Sequence, residues 1–300
     1  MTTSHAGREI ARQPLAWAQA RERLPEVAGL LPQPGERVAV LGCGTSWFMA
    51  AAYAALREAA GAGETDAFAA GQWPAGRAYD RVVAITRSGT TTEVVRAIGA
   101  AEASVTVLTA VADSPAAAGA GAAIVLDFAD EVSVVQTLFA TTTLTLLRAS
   151  LGQPAEPAAT QAQRILDGEN SLPPAVDAAP QFTFVGAGWC AAIANEAALK
   201  LRETTRLWTE SYPQLEYRHG PISIAEPGRV VWIFGEPVPG LVREIEATGA
   251  TVVNDDLDPL ADLVRVQLLG VRLAQGQGFD PDQPRHLTRS VILAPAGAAP

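Results

Sequence analysis

The chain has 300 residues, 48% of them hydrophobic and 18% charged, which is enough apolar material for one large or two medium globular domains. Its 22 basic side chains stand against 32 acidic ones, a net charge of −10, so it lacks the cationic surface that a nucleic acid or an anionic membrane requires. A small phosphorylated ligand stays open, because backbone N–H groups and hydroxyls can hold phosphate locally on an acidic protein.

In chain order, Met1–His5 carries no basic segment followed by an apolar one, so no signal peptide is expected. An amphipathic helix is predicted around Pro14–Leu24, followed by the Pro/Gly-rich stretch Leu31–Gly35. Strands are then predicted at Arg37–Leu41, Arg81–Thr86, Val105–Thr109 and Ala123–Leu126, and helices at Ser46–Ala60, Thr92–Ala101 and Ser133–Leu151. Continuous Val/Ile strands alternating with helices indicate an α/β fold whose sheet is mainly parallel and flanked by helices.

Gly152–Pro180 contains five prolines and a short helical pattern near Thr160–Leu166, and reads as a linker. Beyond it the pattern restarts. The segment Val38–Gly44 is echoed by Thr183–Gly188, and Arg81–Ile85 by Arg229–Ile233. Two similar α/β domains in tandem account for the echo. The expected division is a helical arm over 1–24, a first domain over 25–152, a linker over 153–176 and a second domain with a tail over 177–300. The apolar stretches near Phe48–Leu56 and Phe182–Ala194 are too short to span a bilayer, so a soluble cytoplasmic protein is expected. Cys43 and Cys190 offer neither a metal-ligand spacing nor a disulfide framework.

Two turns between a strand and a helix could hold an anion. Gly42-Cys43-Gly44-Thr45-Ser46 lets the backbone approach a ligand at a helix N-terminus, but the dinucleotide spacing fails because Trp47 stands where a third glycine belongs. Thr86-Arg87-Ser88-Gly89-Thr90-Thr91-Thr92 brings five hydroxyls and a guanidinium into seven residues, more than a helix cap needs and suited to three phosphate oxygens. At strand C-termini of one sheet, both loops would face a common crevice.

Lys200 is the only lysine; the other 21 basic residues are arginines. An ammonium is compact and reaches a single oxygen, which a guanidinium does not do well. Glu196, Lys200 and Glu203 fall at i, i+4 and i+7 on one helical face within an otherwise apolar segment. His219 follows in the turn Arg218-His219-Gly220-Pro221, which completes a set suited to moving protons near neutral pH.

The pattern Glu196-x-x-x-Lys200-x-x-Glu203 followed by Glu216-Tyr217-Arg218-His219-Gly220-Pro221 resembles the isomerase half of glucosamine-6-phosphate synthase and its double-SIS (sugar isomerase) relatives. So do Cys43-Gly44-Thr45-Ser46, the Ser88-Gly89 loop, Asp282-Gln283-Pro284-Arg285 and Arg8-Glu9-Ile10-x-x-Gln13-Pro14, all in family order. The resemblance implies two tandem SIS-type domains, a homodimer with a shared active site, and an isomerase of a 6-phosphosugar, an amino sugar by preference. No metal or nucleotide cofactor is implied.

By the same resemblance Ser46, Thr86, Arg87, Ser88 and Thr91 hold the sugar phosphate, while Thr45, Val134 and Gln136 line the sugar. Glu203 moves a proton between C1 and C2, Lys200 stabilises charge on the sugar oxygens and Glu196 orients or pairs with the reacting groups. His219 assists ring opening, reaching the site from a neighbouring subunit. Arg289 stands in place of the synthase's C-terminal lysine, and Arg87 in place of a glutamine. With no amidotransferase segment or N-terminal cysteine nucleophile in the sequence, glutaminase activity is not expected. Deamination or deglycation of an amino-sugar 6-phosphate is an alternative to simple isomerisation, and a non-catalytic phosphosugar-binding regulator is another.

Overall fold

The computed structural model describes residues 4–294. Two N-terminal helices, α1 (His5–Ala11) and α2 (Gln13–Val27), precede a five-stranded sheet. That sheet is built from β1 (Val38–Gly42), α3 (Thr45–Ala59), β2 (Thr65–Ala69), β3 (Arg81–Ile85), α4 (Thr92–Ala100), β4 (Ser104–Thr109), α5 (Pro115–Gly119) and β5 (Ala122–Val125). Its strand order is β2-β1-β3-β4-β5, and every pairing is parallel. All five residues of β1 are buried, as a parallel strand covered on both faces should be.

Helices α6 (Leu138–Ser150) and α7 (Glu156–Leu166) lead into a second parallel sheet. It comprises β6 (Gln181–Gly186), α8 (Cys190–Thr205), β7 (Trp208–Pro213), β8 (Val230–Phe234), α9 (Leu241–Glu246), β9 (Thr251–Val253) and α10 (Pro259–Gly276). The order β7-β6-β8-β9 repeats the first four positions of the other sheet, with β6 matching β1 and β8 matching β3. These are the strands that the sequence echo pairs.

Helices α2, α3, α6, α7, α8 and α10 pack on one another between the sheets and share one apolar core. Trp17 on α2 lies fully inside it and donates its indole N–H to Thr141 Oγ1 at 3.0 Å, so its one polar atom is satisfied. Smaller cores cover the outer faces, with α4 and α5 on the first sheet and α9 on the second. Arg148 of α6 makes a bidentate pair with Asp258, the N-cap of α10, at 2.9 and 2.7 Å, and its guanidinium lies over the Trp189 ring. Among the described residues no helix is long and apolar enough to cross a membrane.

The predicted elements of the first half are present to within three residues at either end, with one exception. Helix α6 begins at Leu138 rather than Ser133, because the buried Glu131 carboxylate accepts the N–H groups of Thr137, Leu138 and Phe139 and caps the helix from outside. Residues 131–137 are therefore a turn. The edge strands β2, β7 and β9 are absent from the sequence reading. They are short or half-buried and carry polar residues such as Asp66 and Glu210, so the apolar run that marks a central strand is missing.

Each sheet's first strand ends in a glycine for a steric reason. A Cβ on Gly42 would lie 2.4 Å from the Ser46 backbone carbon, and one on Gly186 would lie 2.3 Å from that of Cys190. The first turn of the following helix crosses directly over the strand end. Gly186→Ala is expected to displace the start of α8 and lower stability by about 2 kcal/mol, the usual cost of forcing atoms into a packed site. A thermal melt checks this, and an unchanged melting temperature would contradict it.

Candidate active site

The crevice lies where the first sheet's strand ends meet α8. Helix α3 starts beneath Gly44, whose φ of +54° a side chain would disfavour, and its first turn buries the Thr45 and Ser46 hydroxyls. The β3–α4 loop carries Thr86 and Ser88, also buried, with Gly89 at φ +66° packed so closely that an added Cβ would meet Ser114 Oγ at 2.1 Å. Ser46, Thr86, Ser88 and Thr91 line one small recess together with Cys43 and Gln136. Burial pushes the Cys43 thiol pKa up, so Cys43 is a neutral wall group.

A larger cavity of about 170 Å³ adjoins this recess through Cys43, Thr91, Gln136 and Arg289. Thr45, Val134, Lys200 and Glu203 complete its walls, and residues 287–291 form a strap along one side. Gln136 Oε1 is buried with no hydrogen-bond partner among the described residues, an acceptor free for a ligand donor. The strap is tied to the hydroxyl loop. Thr90 Oγ1 donates to Ser290 Oγ at 2.9 Å, and the Thr92 N–H donates to the Val291 carbonyl at 3.1 Å.

Lys200 is 2% exposed on the face of α8 turned to the cavity. Its Nζ donates to Glu203 Oε2 at 2.6 Å and stands 3.6 Å from Glu196 Oε1. Glu196 lies one turn back, fully buried, with Oε2 unpaired. Burial pushes the Glu196 carboxyl up to about 8, with the Glu203 charge adding to it and the Lys200 ammonium opposing. Burial also opposes the charge on Lys200, but the carboxylates of Glu196 and Glu203 outweigh it and hold its pKa above the ordinary value. A protonated Glu196 leaves Lys200 and Glu203 as a balanced pair, which is the cheapest charge state for a dry site.

Arg87 and Arg289 also line the recess, but their side chains have protein partners, and His219 lies apart. The two terminal amino groups of Arg87 are spent on backbone carbonyls, NH1 on Ser133 at 2.8 Å and NH2 on Val134 at 3.3 Å and Arg289 at 3.1 Å. Arg289 lines the cavity but pairs with the Asp130 carboxylate and the Glu131 carbonyl. His219 is exposed in the turn after Tyr217 and lies outside the cavity lining. Two carboxylates missed by the sequence reading hold the 131–137 turn. Glu131 caps α6, and Glu9 of α1 accepts the N–H of Val132 at 2.6 Å and of Ser133 at 3.3 Å. Glu9 falls inside the Arg8–Pro14 motif, which was the one available signal.

The two parallel sheets with their intervening helices make this the double sugar isomerase (SIS) fold. No protein-family model matches the chain. It is 28% identical over 335 aligned residues to glutamine–fructose-6-phosphate aminotransferase [isomerizing] of Methanothermobacter thermautotrophicus, covering 95% of this chain and 57% of that protein. The chain thus spans little more than half of that relative's length. The tagatose-6-phosphate ketose/aldose isomerase of Escherichia coli matches with a TM-score of 0.81 at 18% identity over 98% of both chains. The glucosamine-6-phosphate deaminase of Thermotoga maritima matches with a TM-score of 0.77 at 23% identity, over 97% of this chain and all of that one.

Glu196 sets a pH signature on stability. Between the ordinary carboxylate value of 4.5 and its folded value of about 8, the native state keeps a proton that the unfolded chain has released. Its contribution is complete below pH 4.5 and is lost as pH rises through 8. Glu196→Gln removes that titration, so the variant's stability relative to wild type should increase from pH 5 to pH 8, at no more than the slope of one proton per molecule. Paired thermal melts measure the difference, and a flat difference would refute the protonated Glu196.

Proposed function

We propose that the chain is an aldose–ketose isomerase of a 6-phosphosugar, an amino sugar by preference, working by proton transfer between C1 and C2. The observation that carries this reading is the Lys200–Glu203 hydrogen bond on the wall of a cavity that opens into a recess lined with hydroxyls. Ser46, Thr86, Ser88 and Thr91, with backbone N–H groups, take the phosphate and fix the sugar's distance from α8.

Glu203 removes the proton from C2 of the open-chain aldose, or from C1 of the ketose, and returns it to the neighbouring carbon. The electron pair left behind forms an enediol-type intermediate, whose oxygens Lys200 stabilises and reprotonates. Glu196, kept neutral by burial, leaves the Lys200 charge directed at Glu203 and the substrate. Val134 and Gln136 line the sugar, and Gln136 Oε1 accepts from one of its hydroxyl or amino groups.

His219 assists ring opening in this reading, and its exposed position outside the cavity accords with delivery from a second copy of the chain in a homodimer. A deaminase of an amino-sugar 6-phosphate shares the same proton transfer, and the likeness to the Thermotoga maritima deaminase favours keeping it as the second reading.

The test is a panel of glucosamine-, galactosamine-, fructose- and fructosamine-type 6-phosphates, with the isomer and free ammonia both assayed. Isomer without ammonia supports the first reading, and stoichiometric ammonia supports the second. Turnover of none of them, with no binding, would overturn both. On the best substrate, Glu203→Gln should bind normally and lose about 10³-fold in kcat. Thr86→Ala with Ser88→Ala should raise KM about tenfold with a smaller effect on kcat. If those two substitutions leave KM unchanged, the recess is not the phosphate site.

A further inference from the structure

The turn over residues 130–134 is held by charged side chains from three other parts of the chain. Glu9 of α1 takes two of its N–H groups, and Arg289 of the strap grips Asp130 and the Glu131 carbonyl. From the cradle loop, Arg87 enters with its guanidinium 1% exposed and binds the carbonyls of Ser133 and Val134, with Glu131 Oε2 3.8 Å away. The same guanidinium also binds the Arg289 carbonyl. It therefore ties the phosphate loop to the sugar wall and to the strap at one point. Among the described residues two of its five N–H groups are left over, one on NH1 and the Nε–H, which is buried and unpaired.

We infer that Arg87 is a positioning residue rather than the cradle's phosphate-binding cation. It sets the placement of Val134 and Gln136 against the reacting carbons, and it anchors the strap. The chemistry of the contacts favours this. Three carbonyl oxygens, one buried and two part-buried, take donors here, and a guanidinium that gives them three of its five N–H groups keeps only one on NH1 and the Nε–H for phosphate unless those bonds are broken. Phosphate then rests chiefly on neutral hydroxyls and backbone N–H groups, with at most the two uncommitted N–H groups of Arg87 added where it lines the recess. Lysine cannot replace this pattern, since one ammonium cannot reach carbonyls on two separate segments with a fixed planar geometry.

The inference rests in part on the isomerase reading, so its test has an arm that needs no substrate. Arg87→Lys and Arg87→Met are compared with wild type after circular dichroism confirms that each is folded. In the first arm, inorganic phosphate binding is measured calorimetrically and turnover is assayed on the best 6-phosphosugar of the panel. Phosphate affinity should stay within about threefold while kcat falls at least tenfold, Arg87→Met more than Arg87→Lys. A fall in phosphate affinity of tenfold or more, with kcat preserved at saturation, would make Arg87 a ligand and overturn the inference. A residue important only for stability would lower the melting temperature without dividing kcat from phosphate affinity in this way.

In the second arm, trypsin cleavage after Arg289 is followed by mass spectrometry with no ligand present. It should run at least tenfold faster in Arg87→Met than in wild type, because the strap carbonyl has lost its donor. An unchanged cleavage rate overturns the anchoring role even if no phosphosugar is ever turned over, whereas failure of the whole substrate panel in wild type counts against the isomerase reading alone.

Discussion

The site is organised around one buried ammonium. Removing Lys200 from water is costly, and the structure offsets that cost with Glu203 in direct hydrogen bond, while the protonated Glu196 lies one turn behind. Both carboxylates come from the same helix, so their spacing is set by the 3.6-residue repeat and needs no long-range adjustment. Everything else in α8 serves to bury that face. Ala197, Ala198 and Leu201 pack into the central core, and Thr204 and Thr205 return their hydroxyls to the helix's own carbonyls. In a chain that uses arginine for every other cation, this position holds the compact one.

The second constraint is the approach of helices to strand ends. Gly42 and Gly186 allow α3 and α8 to start directly over β1 and β6, which brings the first turn of α3 close to the middle of α8. The hydroxyl recess and the Lys200–Glu203 pair thereby open into one cavity although they come from opposite halves of the chain. The 130–134 turn and the strap close its sides, and the termini stabilise both. Asp282 accepts the N–H groups of His5 and Ala6 at 2.7 Å, so the segment before the strap also caps α1, the helix that carries Glu9.

How much of this was legible follows from the range of the forces involved. The central strands and the helical face of Glu196, Lys200 and Glu203 depend on local pattern, and they stand where the sequence places them. The hydroxyl recess was also legible, because Thr86, Ser88 and Thr91 are neighbours in the chain. The start of α6 was not, since it depends on Glu131 acting as a cap from outside the helix. Arg87 looked like an anion ligand beside so many hydroxyls, and nothing nearby in sequence announces that its partners are carbonyls 46 and 202 residues away. Arg289 was expected in the site and lines it, but the turn that engages its guanidinium is equally remote. His219 lies outside the cavity lining, and its position in an exposed turn was not settled by the local Arg218–Pro221 pattern.

The account's central claim is that the chain needs an ammonium between Glu196 and Glu203. The most direct measurement is proton NMR in D₂O of solvent exchange at C1 and C2 of a turned-over 6-phosphosugar, comparing wild type with Lys200→Arg. The account predicts deuterium incorporation by wild type and a loss of at least about 100-fold in the variant, with inorganic phosphate binding retained. Exchange by Lys200→Arg at the wild-type rate would contradict it.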